Sequence, residues 1–147
     1  IDDIVFDNIV MKNVLTPFVM NMYYYCDADG KTEYVWSKTP LKKDERTPYL
    51  GNFVFRNVVC HDTHVAAGFF YGLPEQPIEG IALENVVVSY AKDPVEGAPA
   101  MMSFLEPMKK HGLEFRYVNT VKLKNVRVID PDTKPVLLEN VKTFLEE

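Results

Sequence analysis

Ile81-Ala82-Leu83-Glu84-Asn85-Val86-Val87-Val88 sets large apolar residues at 81 and 83, an asparagine at 85, and large apolar residues again at 86 and 88. The alternation slips by one residue at the asparagine. A strand turns successive side chains to opposite faces. A single straight strand with this slip would therefore expose its second half. The pattern is consistent with a core only if the chain bends at Asn85, so that two short strands on adjoining sheets both point inward. Asparagine suits such a corner because it tolerates left-handed backbone geometry and hydrogen-bonds locally.

The same phrase recurs along the chain. Ile4, Phe6, Asn8, Ile9 and Met11 form one copy, and Phe53, Phe55, Asn57, Val58 and Cys60 another. Val121, Leu123, Asn125, Val126 and Val128 repeat it, and Val136, Leu138, Asn140 and Val141 begin a fifth copy with Thr143 in the last slot. The step from Asn57 to Asn85 is about 28 residues, a length suited to one solenoid coil. The longer steps, about 49 and 40 residues, read as coils carrying inserted loops over residues 26–49 and 91–116. Corresponding asparagines would then stack about 4.8 Å apart as an amide ladder. The expected fold is all-β, a parallel β-helix of about four coils with two inserted loops. An antiparallel sandwich is the competing architecture. It gives no reason for one asparagine-centred slip five times over, and the one strong hairpin signal, Asp29-Gly30, falls inside a loop.

The 147 residues suffice for one domain, and 47% hydrophobic with 25% charged residues is a globular composition. A formal net charge of −5 argues against a nucleic-acid partner. Lys122, Lys124 and Arg127 occupy outward positions of their repeat, where charge keeps strand faces solvated. No apolar run approaches the length of a membrane-spanning helix. The chain opens at Ile1 inside a repeat with no capping element before it. Solenoid ends need covers. The expectation is a single partial domain over 1–147, the C-terminal coils of a longer β-helix, with an open first coil prone to self-association.

Side-chain chemistry is sparse. His61, Asp62 and His64 suggest half of a metal site, but strand spacing puts the histidines on opposite faces and His111 stands alone, so no metal is expected. The adjacent carboxylates Asp2-Asp3, Asp44-Glu45 and Glu146-Glu147 read as solvated surface. No phosphate-binding loop or serine elbow is present, and nothing calls for a cofactor. Cys60 takes an inward repeat position and reads as a buried thiol, while Cys26 opens a loop; spacing alone assigns no disulfide. Tyr23-Tyr24-Tyr25 is more informative. Alternation carried on from Pro17-Phe18-Val19-Met20-Asn21-Met22 puts Tyr24 on one face and Tyr23 with Tyr25 on the other. At least one ring should face outward at the mouth of a loop, where its apolar face and polar tip suit a sugar. Tyr34, Trp36 and Tyr49 would add a rim.

The order of Ile4-Val5-Phe6-Asp7-Asn8-Ile9-Val10-Met11-Lys12-Asn13-Val14, then Pro17-Phe18-Val19-Met20 with the tyrosine run and Cys26-Asp27, then Gly72-Leu73-Pro74-Glu75-Gln76-Pro77-Ile78 and Ile81-Ala82-Leu83-Glu84-Asn85-Val86, resembles the C-terminal third of bacterial polygalacturonase-like enzymes of glycoside hydrolase family 28. The resemblance implies a right-handed parallel β-helix from an enzyme that hydrolyses α-1,4-galacturonosyl bonds of pectin or its oligomers with inversion. The family's hallmark motifs, Asn-Thr-Asp, Asp-Asp, Gly-His-Gly and Arg-Ile-Lys, are absent. In the family they precede the stretch matched. The resemblance therefore implies no catalytic residue in this chain, which alone should be inactive, and oligo- or polygalacturonate as the partner of the whole enzyme. One sugar-subsite tyrosine carries over. Counting from Pro17 selects Tyr24, and counting back from Cys26-Asp27 selects Tyr25. A non-catalytic carbohydrate-binding or structural β-solenoid is the alternative. Neither reading fixes the compartment.

Overall fold

The computed structural model describes all residues 1–147. Seven strands run in the order β1 (Ile4–Lys12), β2 (Phe18–Asn21), β3 (Asn52–Thr63), β4 (Ala66–Tyr71), β5 (Ile78–Tyr90), β6 (His111–Ile129) and β7 (Val136–Glu146). A 3-10 turn at Asp29–Lys31 and a short helix α1 (Glu33–Trp36) lie between β2 and β3. No helix is long and apolar enough to cross a membrane. Every strand pairing is parallel, in the order β1-β3-β5-β6-β4-β2 with β7 also on β6. The result is one sheet of parallel strands curled into a half-barrel, compatible with a parallel β-solenoid.

The register explains the repeat. Ile4, Phe53, Ile81 and Val121 are successive partners, as are Phe6, Phe55, Leu83 and Leu123. Beyond the asparagine, Ile9, Val58, Val86 and Val126 form a third column, and Met11, Cys60, Val88 and Val128 a fourth. Parallel in-register pairing places like residues on like residues, so each column packs through its own length. Phe6 stacks on Phe55 with ring centroids 4.8 Å apart and planes 5° from parallel. On the facing wall Phe70 stacks on Phe115 at 4.8 Å and 3°. Phe55, Phe70 and Phe115 belong to one hydrophobic core, which the exposed Phe6 caps at the β1 edge. Removing a residue the size of Phe or Leu from water contributes roughly 1.5–3 kcal/mol.

All four column asparagines have left-handed backbone, with φ of 58° at Asn8, 55° at Asn57, 52° at Asn85 and 51° at Asn125. The side chains of Asn57, Asn85 and Asn125 form the expected ladder. Asn125 Nδ2 donates to Asn85 Oδ1 at 2.9 Å, and Asn85 Nδ2 to Asn57 Oδ1 at 3.1 Å. Asn57 Nδ2 ends the run on the Asp7 carboxylate at 2.9 Å, which Arg56 also grips at 2.9 Å. A second set of left-handed corners falls at Asn13, Asp62 and Asp130.

Two expectations need correction, and one strand was not foreseen. Asn140 does not extend the asparagine column: β7 pairs with β6 so that Arg116 faces Glu139 and Val118 faces Val141. This sets Asn140 against Tyr117, and both residues are left-handed, with φ of 54° and 52°. The fifth copy marks a different corner. The second loop ends at Lys110 rather than 116, because Leu113 and Phe115 are inward partners of Gly68 and Phe70 and continue their columns. Strand β4 carries no alternation signal, because all six of its residues are buried. At the β1 end no further strand stacks on the core, and Phe6, Ile9 and Met11 help line an open apolar groove of about 350 Å³.

The corner geometry is testable at Asn85. Ala tolerates φ near +52° poorly, at about 1–2 kcal/mol, and also breaks two exposed ladder bonds. Asn85→Ala should lower unfolding free energy in urea by about 2 kcal/mol. Asn85→Gly, which relieves the backbone but not the ladder, should cost less than half of that. Equal costs for the two would show that the left-handed backbone is not what the asparagine supplies.

Candidate functional site

Inward residues of β4 and β6 alternate with Phe69, Tyr71, Glu114 and Arg116, which face out. These outward residues are not solvated. Phe69 is fully buried, and Tyr71 and Glu114 are nearly so. Residues 22–49 and 91–110 fold over this face and meet there. Tyr24 forms an antiparallel bridge with Met102, and Asn21 Nδ2 donates to Met101 O at 2.7 Å. Lys38 Nζ, from the first loop, donates to Ser103 Oγ of the second at 2.6 Å.

Charges under the loops are held in a chain. Glu114 Oε1 accepts from Arg116 Nε at 2.5 Å, and Glu114 Oε2 lies 2.5 Å from His111 Nε2. Arg116 also reaches Glu139 at 3.2 Å and lies over the rings of Phe69 and Tyr71. Burial pushes the Glu114 carboxyl up, but the bonds from His111 and Arg116 outweigh it and hold the group below the usual carboxylate range. Lys38 has no carboxylate partner. Its ammonium sits 3.8 Å from the centroid of the Tyr23 ring and 5.4 Å from that of Tyr71. Burial, with repulsion from Arg116, pushes it down to about 8.

The three tyrosines of the run part company. Strand β2 stops at Asn21, whose Oδ1 accepts from the Tyr23 N–H at 2.8 Å, so alternation does not carry on through the run. Tyr23 is 1% exposed, whereas Tyr24 and Tyr25 are 40% and 38% exposed; Tyr23 and Tyr25 do not share an environment. The Tyr24 hydroxyl donates to Asp27 Oδ2 at 2.9 Å, and hydrogen bonding to Cys26 and Asp27 raises it to about 12. Tyr25 packs on Phe104 at 5.3 Å, and Trp36 meets the same Phe104 ring edge-on at 5.4 Å. Phe104 is 70% exposed on a left-handed backbone with φ of 52°. A bulky residue in that conformation is uncommon and strained. Tyr25, Phe104 and Trp36 thus form an open aromatic platform where the two loops meet. Sequence reading found Tyr25 and Trp36 but not Phe104, whose partners are distant in sequence.

Tyr34, expected on the same rim, instead lines a cavity of about 490 Å³ beneath the first loop, with Tyr23 and Glu75. Tyr49 lies apart from both the platform and this cavity. His61, Asp62 and His64 form no metal-binding group. His64 Nδ1 accepts the Val95 N–H at 3.1 Å, which leaves Nε2 to donate to Asn13 Oδ1 at 2.9 Å. That histidine ties the second loop to the first corner. Cys60 is a buried free thiol, pushed up to about 12 by burial, and Cys26 is free and exposed.

The folded Lys38 value near 8 lies below its ordinary 10.5, so between those values the unfolded chain binds more protons and stability rises with pH. Wild-type stability should therefore gain on Lys38→Met by about 1 kcal/mol between pH 7.5 and 10, after allowance for screening of a half-exposed group. Urea titrations of both proteins at the two pH values measure it; a constant difference would place Lys38 in water.

Comparison with models of protein families, with curated proteins and with solved structures returns no match to this chain.

Proposed function

We propose that this chain forms the C-terminal wall of a polygalacturonase-like glycoside hydrolase and binds sugar without catalysing its hydrolysis. In this reading the curled sheet is a right-handed parallel β-helix of about four coils, with its two inserted loops on one face. The observation that carries the reading is the platform of Tyr25, Phe104 and Trp36. Aromatic rings at a loop junction, with Tyr25 and Phe104 exposed, suit the C–H face of a pyranose ring. Strain at Phe104 supports it, because bulky left-handed residues persist where the surroundings impose them and cluster at ligand sites. Tyr24 and Tyr25, the alternatives for the one sugar-subsite tyrosine that the family resemblance implies, both lie at this loop junction. Tyr25 is the stronger candidate for direct stacking, since Tyr24 commits its hydroxyl to Asp27.

The family's catalytic motifs are absent from the sequence, so the reaction belongs to residues outside it. The same platform also favours a second reading, a carbohydrate-binding β-solenoid with no hydrolytic parent. Motifs of the Asn-Thr-Asp, Asp-Asp and Gly-His-Gly type encoded upstream of Ile1 would decide for the enzyme.

The chain should release no reducing ends from polygalacturonate or digalacturonate; turnover on the order of 1 per second would overturn that. It should bind trigalacturonate weakly. Tyr25→Ala and Phe104→Ala should each weaken that binding roughly fivefold, as loss of one stacking ring predicts, with melting temperature little changed. Titration by ligand-observed NMR measures both effects. Unchanged affinity in both variants would remove the platform from the proposal.

A further inference from the structure

Strand β1 pairs only with β3, and β2 only with β4, so one end of the curled sheet presents two free edges. Free edges invite another strand, and charge along them discourages it. The two ends of the sheet differ in that respect. Towards β1 the outward columns read Lys122, Ala82, Val54, Val5 and Arg127, Val87, Val59, Val10. Each cation gives way to valine, and Val5 and Val10 are 53% and 75% exposed. At the other end β7 mixes Glu139, Lys142 and Glu146 with its exposed apolar residues. It also stops opposite Leu123, short of the Asn125 corner, so Val126 and Val128 have no strand over them. A β1 edge laid on that end would meet half a layer.

A second β1 is the better match. The inward residues of β1 are Ile4, Phe6, Ile9 and Met11. The steps between them are two, three and two residues, the same in either direction, because the slip at Asn8 lies in the middle. A copy of β1 laid antiparallel therefore brings all four inward residues onto inward residues in one register. Ile4 faces the partner's Met11, and Phe6 faces the partner's Ile9. That register also sets Val5 against the partner's Val10, which covers both exposed valines. It opposes Asp3 to the partner's Lys12, a pair of opposite charges. Lys12 is available for it, being 74% exposed with its one ion pair, to Asp62, at 3.9 Å. Asp7 meets the partner's Asn8. The chain already makes a contact of that kind, since Asn57 Nδ2 donates to Asp7 Oδ1 at 2.9 Å and not to Asn8. Strand β2 lies across the open groove from β1, and the same two-fold axis lays it on its own copy, with inward Phe18 facing the partner's Met20.

We propose that two copies of this chain join head to head, β1 antiparallel to β1 about a two-fold axis at the Asn8 corner, closing the apolar groove of each. The contact is isologous, so assembly stops at the dimer. It concerns residues 1–147 and does not rest on the polygalacturonase reading, in which a coil joined ahead of Ile1 takes the same edge.

Sedimentation velocity of the full chain, taken up to about 0.5 mM, should show a dimer with a dissociation constant on the order of 10 μM. Val10→Lys, at an outward and exposed position, should weaken it roughly tenfold with the far-ultraviolet circular dichroism unchanged. Lys12→Glu sets like charges against Asp3 and should weaken it roughly fivefold. Asp3→Lys/Lys12→Glu should restore it, which the lost contact to Asp62 alone would not allow. On a Cys26→Ser background, Val5→Cys and Val10→Cys mixed together should give a disulfide-linked dimer on oxidation, and neither should do so alone. A chain that stays monomeric leaves the edge to a preceding coil and overturns the pairing. An assembly that keeps growing with concentration is head-to-tail stacking and overturns it too. A dimer that survives Val10→Lys and Lys12→Glu unchanged, or that Val5→Cys links by itself, overturns the register.

Discussion

Left-handed backbone at Asn57, Asn85 and Asn125 is the condition on which the packing of this chain depends. Phe55 and Val58 both reach the core, although they are three residues apart and a straight strand would send them to opposite faces. The bend between them reconciles the two directions. It does so at the same place in successive strands, so parallel partners remain in register on both sides of it. Left-handed geometry costs most residues about 1–2 kcal/mol, and asparagine lowers that cost. Each amide also satisfies the next, so the corners reinforce one another along the stack. Tyr117 shows the other way to hold such a corner. It has no suitable propensity, yet it is left-handed at φ of 52° between two halves of β6 that are each paired on both sides. There the neighbouring strands impose what the residue itself disfavours.

The inward and outward faces follow different rules. Inward columns repeat because stacking repeats them. The outward face of β4 and β6 carries Phe69 and Tyr71, poor choices for an open surface, beside a nearly buried Glu114 and a partly buried Arg116. They make sense only beneath the two loops. The Glu114–Arg116 and Arg116–Glu139 ion pairs and the His111 contact to Glu114 are then a consequence of that cover, since a buried carboxylate needs partners for its lone pairs. Breaking one partner out of such a set is costlier than never having built it. The two loops are joined to each other by Lys38 on Ser103, the second loop to the β3–β4 connection by His64 on Val95, and the first loop to the sheet by the Lys38 ammonium over the Tyr71 ring.

What could be read in the sequence was what repeats. Ile81, Leu83, Asn85, Val86 and Val88 disclosed a bend, and four of the five copies stand in one column. Asn140 misled because a left-handed asparagine looks the same at any corner; only pairing with Tyr117 assigns it. Ala66–Tyr71 passed unnoticed because a strand buried on both faces loses its alternation. The tyrosine run was noticed, but the roles of its members depended on where β2 stopped, which the Asn21 side chain decides by capping the Tyr23 N–H. Phe104 lay beyond reach for another reason. Its neighbours Tyr25 and Trp36 are brought to it by the other loop, and no local pattern records that.

Helix α1 brings these strands of reasoning to one place. Within four residues, Tyr34 and Val35 line the cavity while Trp36 turns to the platform and secures its indole on Lys31 O at 3.1 Å. Such a short helix has little stability of its own. Its position comes from what it touches: the Phe104 ring on one side, and on the other the cavity that Tyr34 and Val35 line. The repeats then supply rigidity, and the chemistry lies in the residues that break the repeat.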